Sequence, residues 1–486
     1  MIARLKELLF QNRSTKQTVA KNMFWLSMGE VISRLFRGVV IIYAARILGA
    51  NGYGVFSYAL GLAGFFTIFA DIGLTSILTR EVSQKPDKKS QYLATTFWIK
   101  TVPLSLTALL VVFVAPYFSN IEAAKALVPI VAFLVIFDGI REFSLGFLRA
   151  NDRMEIQALI TLITNITISL FGILILFYYP TAKALTFAYA LSAGSGALAS
   201  VIILRNEFLG IFKNFNKELI KPILDAAWPF AFISLLGGFM LSTDIIMLGW
   251  FKDAREVGLY SAGQKVVSLL YVLPGIFVTS VFPTISRLIG NSEHNRVRNL
   301  TEKSIVFITS ISFPLTVGGI VLGNSIISFL FGPNYSNAVL PFQILMLTIF
   351  ATYSGSFIGN LILAYNLQKK AIFFVGLASL SNFVFDALLI PFYGGAGSAV
   401  ATVIAQILIT GLGWHIVKKK VGFNILPHLT KIIPATIIMG IISYIMDSIG
   451  INVTTNICVS MLLYFAILYA SKEIVLIEIF SLIKKI

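Results

Sequence analysis

Fourteen runs of about twenty predominantly apolar residues follow one another along this chain, parted by short polar connectors. The hydrocarbon core of a bilayer is about 30 Å thick, and a helix needs about 20 residues to cross it. In lipid a segment must satisfy its own backbone amides, so such runs fold as helices. The expected spans are 23–48, 54–78, 93–117, 125–148, 156–179, 184–204, 225–250, 257–283, 303–323, 337–364, 370–392, 396–417, 430–447 and 452–471. The fold class they predict is an all-α integral membrane protein. Composition agrees: 12% of the 486 residues are charged and 57% are hydrophobic, against about 25% charged in a soluble domain. Aromatic residues at 13% argue against disorder. A single cysteine, Cys458, rules out a disulfide framework, a CxxC metal site and an iron–sulfur cluster.

The net charge of +16 has no soluble basic module in which to bind nucleic acid. It sits where a membrane protein keeps positive charge, in cytoplasmic loops. With the N-terminus inside, 28 of the 38 Lys and Arg fall in the tails and inner connectors, and five lie on the outer side. Both termini are therefore expected in the cytoplasm, with the chain multi-pass in the cell membrane. The first run follows a basic tail (Arg4, Lys6, Arg13, Lys16, Lys21), is too long for a signal peptide and lacks a small-residue cleavage site, so it reads as a retained helix. A shift of 204 residues places Ala50, Gly54, Ser57, Ile72, Thr75 and Ser76 on Ala254, Gly258, Ser261, Ile276, Thr279 and Ser280. That points to two parallel six-helix repeats. The expected organisation is a cytoplasmic tail 1–22, an N-lobe 23–210, a C-lobe 222–420, two added helices within 428–472 and a tail 473–486.

Charge inside a span costs about 2.5–3.5 kcal/mol at the bilayer centre, so it faces a cavity or a partner. Five basic residues fall there: Arg34, Arg37, Lys100, Arg141 and Lys265. Glu30, Arg34 and Arg37 share one helical face, as do Asp138, Arg141 and Glu142. Each group reads in two ways, as cavity-lining charge or as a self-neutralised packing cluster. Two acids flanking Arg141 also suit a proton-responsive site, because a crowded carboxylate binds its proton more tightly. Lys265 reads as a cavity cation, as a snorkelling side chain or as a partner of Asp244. Lys100 lies near the inner end of its span, where snorkelling to the headgroups competes with a cavity role. Asp71 and Asp386 read as pairing or packing groups, and Asp244 as a cation-coupling candidate. Pro103, Pro129, Pro229, Pro274 and Pro314 are expected to kink their helices. The small residues of 192–200 read as close helix packing. None of His294, His415 and His428 is placed for a metal or nucleophile site, and the Walker lysine motif is missing, so no cofactor is expected.

Specific strings then become recognisable. ARILGANGYG at 45–54, ADIGL at 70–74 with LTRE at 78–81, VGLYSA at 257–262 with VFPTIS at 281–286, LFGPNY at 330–335 and LIPFYGGAGS at 389–398 occur in this order. The chain resembles the Wzx-like lipid-linked oligosaccharide flippases of the MOP superfamily, relatives of MATE exporters and of the lipid II flippase. The resemblance covers nearly the whole sequence. It implies a V-shaped pair of six-helix lobes around a central cavity, alternating access, and a polyprenyl-linked oligosaccharide as cargo, driven by an ion gradient or membrane potential. A pyrophosphate headgroup gives a reason to keep intramembrane cations, since Arg offers paired donors to phosphate oxygens. The expected substrate-binding set is Arg34, Arg37, Lys100, Arg141 and Lys265; the expected ion-coupling set is Glu30, Asp71, Asp138, Glu142 and Asp244. Expected partners are the glycolipid, membrane lipids and glycan-assembly enzymes. The alternative is a MATE-like multidrug exporter, whose mostly cationic cargo those cations would repel unless internally paired. A membrane glycan polymerase or ligase is disfavoured, because the outer connectors are short and the longest, 323–336, carries neither acid nor base.

Overall fold

The structure is a computed structural model, described here over residues 15–471. The outer parts of both expected tails, 1–14 and 472–486, lie outside the described residues. Packing divides the chain into two units, Met1–Gly258 and Leu259–Ile486. Numbering the helices of nine residues or more, the first unit holds α1 (Thr15–Asp71), α2 (Leu74–Gln84), α3 (Lys89–Phe113), α4 (Val128–Ala150), α5 (Met154–Tyr178), α6 (Ala182–Ile203) and α7 (Ile220–Phe251). Helix α8 (Ala254–Leu270) straddles the division. The second unit continues with α9 (Val272–Gly290), α10 (His294–Val321), α11 (Gly323–Phe331), α12 (Val339–Ala364), α13 (Gln368–Val421), α14 (Leu426–Ser448) and α15 (Val453–Ala470).

Two helices are far too long for one crossing. At 1.5 Å per residue the 57 residues of α1 would reach about 85 Å. Each is broken at a glycine: Gly49 (φ 64°, ψ 176°) divides α1, and Gly394 (φ 54°, ψ −133°) divides α13. A left-handed φ is cheap only without a Cβ. Among the described residues ten helices are long and apolar enough to cross a membrane, or eleven if the pair 24–71 and 74–84, bent by 46°, counts as one span. Helix α4 is not among them, because Asp138, Arg141 and Glu142 interrupt its apolar run.

Proline placement corrects one expectation. Pro103, Pro229 and Pro314 do lie inside helices, but Pro129 sits in the first turn of α4, and Pro274 is the third residue of α9, three residues beyond the break at Tyr271. In a first turn the missing N–H breaks no helical bond, so the ring starts a helix without bending it.

In the first unit α1 packs on α5, α4 packs on α6, and α7 lies against α1 and α2. The buried core gathers Leu74, Leu78, Phe143, Phe147 and Ile160. Helix α1 begins at Thr15, ahead of the span start expected at 23; Lys21 is buried and bonds Glu155 at 2.9 Å, while Asn22 donates to Asp152 at 3.1 Å. The closest backbone approach joins the two repeat-related strings. A Cβ on Gly54 would fall 1.6 Å from the carbonyl oxygen of Ala254, and one on Gly258 would fall 1.9 Å from that of Ala50. The contact is reciprocal, small residue four positions from small residue on both helices, as in close helix crossings within lipid.

In the second unit α12 packs on α13 and α10, and α14 pairs with α15. Tyr464 of α15 is fully buried and donates to the Ser310 carbonyl of α10 at 2.7 Å, which ties α15 into a core with Val306, Ile432 and Met439.

Candidate functional site

Most of the candidate charges belong to the first unit, where they lie on α1, α3 and α4, with Asp244 on α7. The apolar surroundings give each a strong reason to find a counter-charge. On α1, Arg34 donates through Nε to Glu30 Oε1 at 2.6 Å, a pair one turn apart and left roughly 40% exposed. Arg37, one turn further, is exposed and forms no ion pair among the described residues. Its charge reaches Asp138 of α4 and Tyr189 of α6.

On α4 the three charges expected on one face do meet. Arg141 Nη2 lies 3.1 Å from Asp138 Oδ1 and 3.1 Å from Glu142 Oε1. Its Nε is buried with no hydrogen-bond partner among the described residues. The stem is fixed from α6: a Cβ on Gly196 would fall 3.1 Å from Arg141 Cδ and 2.1 Å from Thr164 Oγ1, so the glycine keeps room for the arginine. Two carboxylates against one guanidinium leave an excess negative charge, which Arg37 offsets.

Glu142 also faces a second polar group. It lines a cavity of about 240 Å³ together with Asp71, Thr75, Lys100 and Arg149. Lys100 is 3% exposed and does not snorkel: it pairs with Asp71, donates to Thr75 Oγ1 at 2.9 Å and lies 5.5 Å from the Phe143 ring centre. Thr75 in turn donates to Asp71. The local backbone makes this possible. Helix α1 ends at Asp71, Ile72 and Gly73 take left-handed φ of 45° and 72°, and α2 restarts at Leu74, one turn back onto Asp71. Gly73 is required twice over, since a Cβ there would fall 2.7 Å from Ala231 N of α7.

The result is a polar track through the first unit, running from Arg37 through Asp138, Arg141 and Glu142 to Lys100 and Asp71. Of the five candidate cations, Arg34, Lys100 and Arg141 are held by carboxylates, because desolvation of a lone charge costs more than a paired one. Sequence reasoning missed Thr75 and Arg149. The first gave only a repeat identity, and the second was counted with the connectors.

The remaining candidates stand apart from this track. Asp244 is buried in α7, and Lys265 is half-buried in α8. In the second unit Asp386 is completely buried in α13 with Asn382 and Ser398, on both sides of the break at Gly394.

Comparison with known proteins places this arrangement. The family profile described as "Polysaccharide biosynthesis protein" matches residues 19–289, and the MatE profile matches 229–388. The chain is 24% identical to the "Probable flippase AglR" of Haloferax volcanii, over 79% of this chain and 80% of that one. It is 23% identical to the "Capsular polysaccharide biosynthesis protein CapF" of Staphylococcus aureus, over 80% and 96%. Among solved structures, the "Lipid II flippase MurJ, inward closed conformation" superposes with a TM-score of 0.70, covering 91% of this chain and 98% of that one at 20% identity. The fold is thus that of the solved lipid II flippase MurJ, and by the profile covering more than half of its length the chain belongs to the polysaccharide biosynthesis protein family.

Proposed function

We propose that this chain is a flippase that moves a polyprenyl-(pyro)phosphate-linked oligosaccharide from the cytoplasmic to the outer leaflet by alternating access. The observation that carries the reading is its membership of the polysaccharide biosynthesis protein family, whose relatives include a probable flippase and a capsular polysaccharide protein. The charged track supplies chemistry that suits such a cargo. Arg37 is exposed and without an ion pair among the described residues, so its paired donors are ready for phosphate oxygens. Arg34 and Arg141 join it when phosphate replaces a carboxylate, and Lys265 offers a cation in the second unit. Protonation of Asp138 or Glu142 frees Arg141 for the anion, which links cargo binding to a proton; Glu30, Asp71 and Asp244 are further coupling groups.

The architecture belongs to the same reading. Fourteen spans follow when α1 is divided at Gly49 with α2 completing its second leg, α13 is divided at Gly394, and α4 is admitted despite its charges. They form lobes 23–210 and 222–420 with two further helices in 428–472. The termini are cytoplasmic, the membrane is the cell membrane, and glycan-assembly enzymes are the neighbours in the pathway. No catalytic step is assigned to the chain.

A second reading has an observation of its own, the MatE match over 229–388. With Arg34, Lys100 and Arg141 paired, repulsion of a cationic drug falls chiefly to Arg37. Reconstituted vesicles separate the two. The expected result is transfer of a fluorescent polyprenyl-pyrophosphate oligosaccharide, reduced about tenfold or more in Arg37→Ala, the loss of one charge-assisted contact. Transport of cationic dyes with no glycolipid transfer would reject the flippase.

A further inference from the structure

A groove in the second unit lies outside the charged track and outside everything invoked above. It holds about 840 Å³ and is walled by α10, α12, the second leg of α13 and the start of α14. Phe313, Phe350 and Ile407 make its walls apolar, and Trp414, Lys418 and Asn424 gather where α13 ends and α14 begins. The polar end is cationic. Lys418, Lys419 and Lys420 are consecutive and exposed, and none forms an ion pair among the described residues. Lys420 lies over the Tyr365 ring at 4.7 Å. The C-terminal carbonyls of α13 favour these charges but carry only about half an elementary charge. The side-chain amide nitrogen of Asn424 adds a donor at the same mouth, its oxygen being used by the Leu426 N–H.

An apolar trough under a basic mouth selects an amphiphile with an anionic head. A neutral lipid leaves the three lysines without counter-charge, and a soluble anion leaves the trough unfilled. Basic pockets between membrane helices on the cytoplasmic side bind anionic lipid headgroups, and the 418–431 connector belongs to the basic set expected there. Phospholipid is the abundant anionic amphiphile meeting such a face, and its ester carbonyls suit the Asn424 donor. We infer that this groove is a binding site for an anionic membrane phospholipid, with the phosphate at Lys418 and an acyl chain along Phe313, Phe350 and Ile407. The assignment does not depend on the cargo, because occupancy is read without transport.

Trp414 lines the groove and serves as the probe. In the full-length protein with Trp25, Trp98, Trp228 and Trp250 replaced by Phe, Trp414 fluorescence is measured in vesicles containing brominated phosphatidylglycerol or brominated phosphatidylcholine. The expected result is a preference of about fivefold for phosphatidylglycerol, the worth of one lysine near an anionic surface. Lys418→Gln removes the preference at unchanged thermal stability. Gly411→Leu, at a position where nothing lies within 4 Å of the new Cβ, weakens quenching by both lipids. Equal quenching in the parent protein, a preference that survives Lys418→Gln, or displacement of brominated phosphatidylglycerol by an equimolar polyprenyl phosphate would each overturn the inference; the last would give the groove to a prenyl tail.

Discussion

Lys100 shows what a single charge in lipid demands. Its ammonium is buried with Asp71 and Thr75, so the pair is neutral, and neither partner can leave alone. Breaking a buried pair strands the other charge and costs about 3–5 kcal/mol. Lys100→Met should therefore lower the melting temperature of the purified protein strongly, and adding Asp71→Asn should restore most of it. Additive losses in the double variant would show that the two side chains do not act as a pair. The same principle explains what the sequence made legible at this scale. Helical spacing placed Glu30 with Arg34 and Asp138 with Arg141 and Glu142, because those partners lie within one turn of each other. Lys100 and Asp71 are 29 positions apart and meet only through the turn at Ile72–Gly73, whose left-handed φ values carry no signature in spacing alone. The burial of Lys21 was illegible for a related reason: its partners, Glu155 and the Asp152 carbonyl, lie more than 130 positions along the chain.

Helices are positioned here by the residues they lack. At Gly54 and Gly258 the backbones of α1 and α8 touch reciprocally, with no space for a methyl group. Overpacking of this kind costs about 1–3 kcal/mol. Gly54→Ala should thus lower thermal stability by that order, and so should Gly258→Ala. Gly275→Ala is the contrast: nothing lies within 4 Å of its added Cβ, and removing a helical glycine gains about 1 kcal/mol at most. Thermal unfolding of the three variants in one detergent checks both signs, and equal behaviour of Gly54→Ala and Gly275→Ala would contradict the crossing. The sequence marked these positions, since both glycines and their alanine neighbours were among the identities at the 204-residue shift. It did not reveal that the matched strings touch. A repeat tells which positions are equivalent, and packing decides which of them meet. The proline signals carried less. A proline alone does not say whether it stands in a first turn, as Pro129 does, or inside a helix, as Pro103 does.

At the scale of the whole chain the apolar runs and the basic connectors make one joint statement, since each crossing reverses the side of everything downstream. Helix α4 is the weak point, because its charged middle makes it the run that composition alone excludes. If α4 did not cross, the connector at Asn151–Arg153 would face the same side as Asn120, and every later basic cluster would be turned outward against the charge bias. Cysteine accessibility decides the matter with little disturbance, because Cys458 is the chain's only cysteine and Cys458→Ser supplies a background free of thiols. In intact cells, single cysteines at Asn120, Lys183, Asp253 and Gly450 should react with a membrane-impermeant maleimide. Those at Asp87, Asp152, Asn214, Asn291, Gln368 and Asn424 should react only after permeabilisation. Labelling that alternates correctly as far as Asp87 and inverts from Asp152 onward would remove α4 from the membrane, and with it the half-buried ion-pair cluster on which the polar track depends.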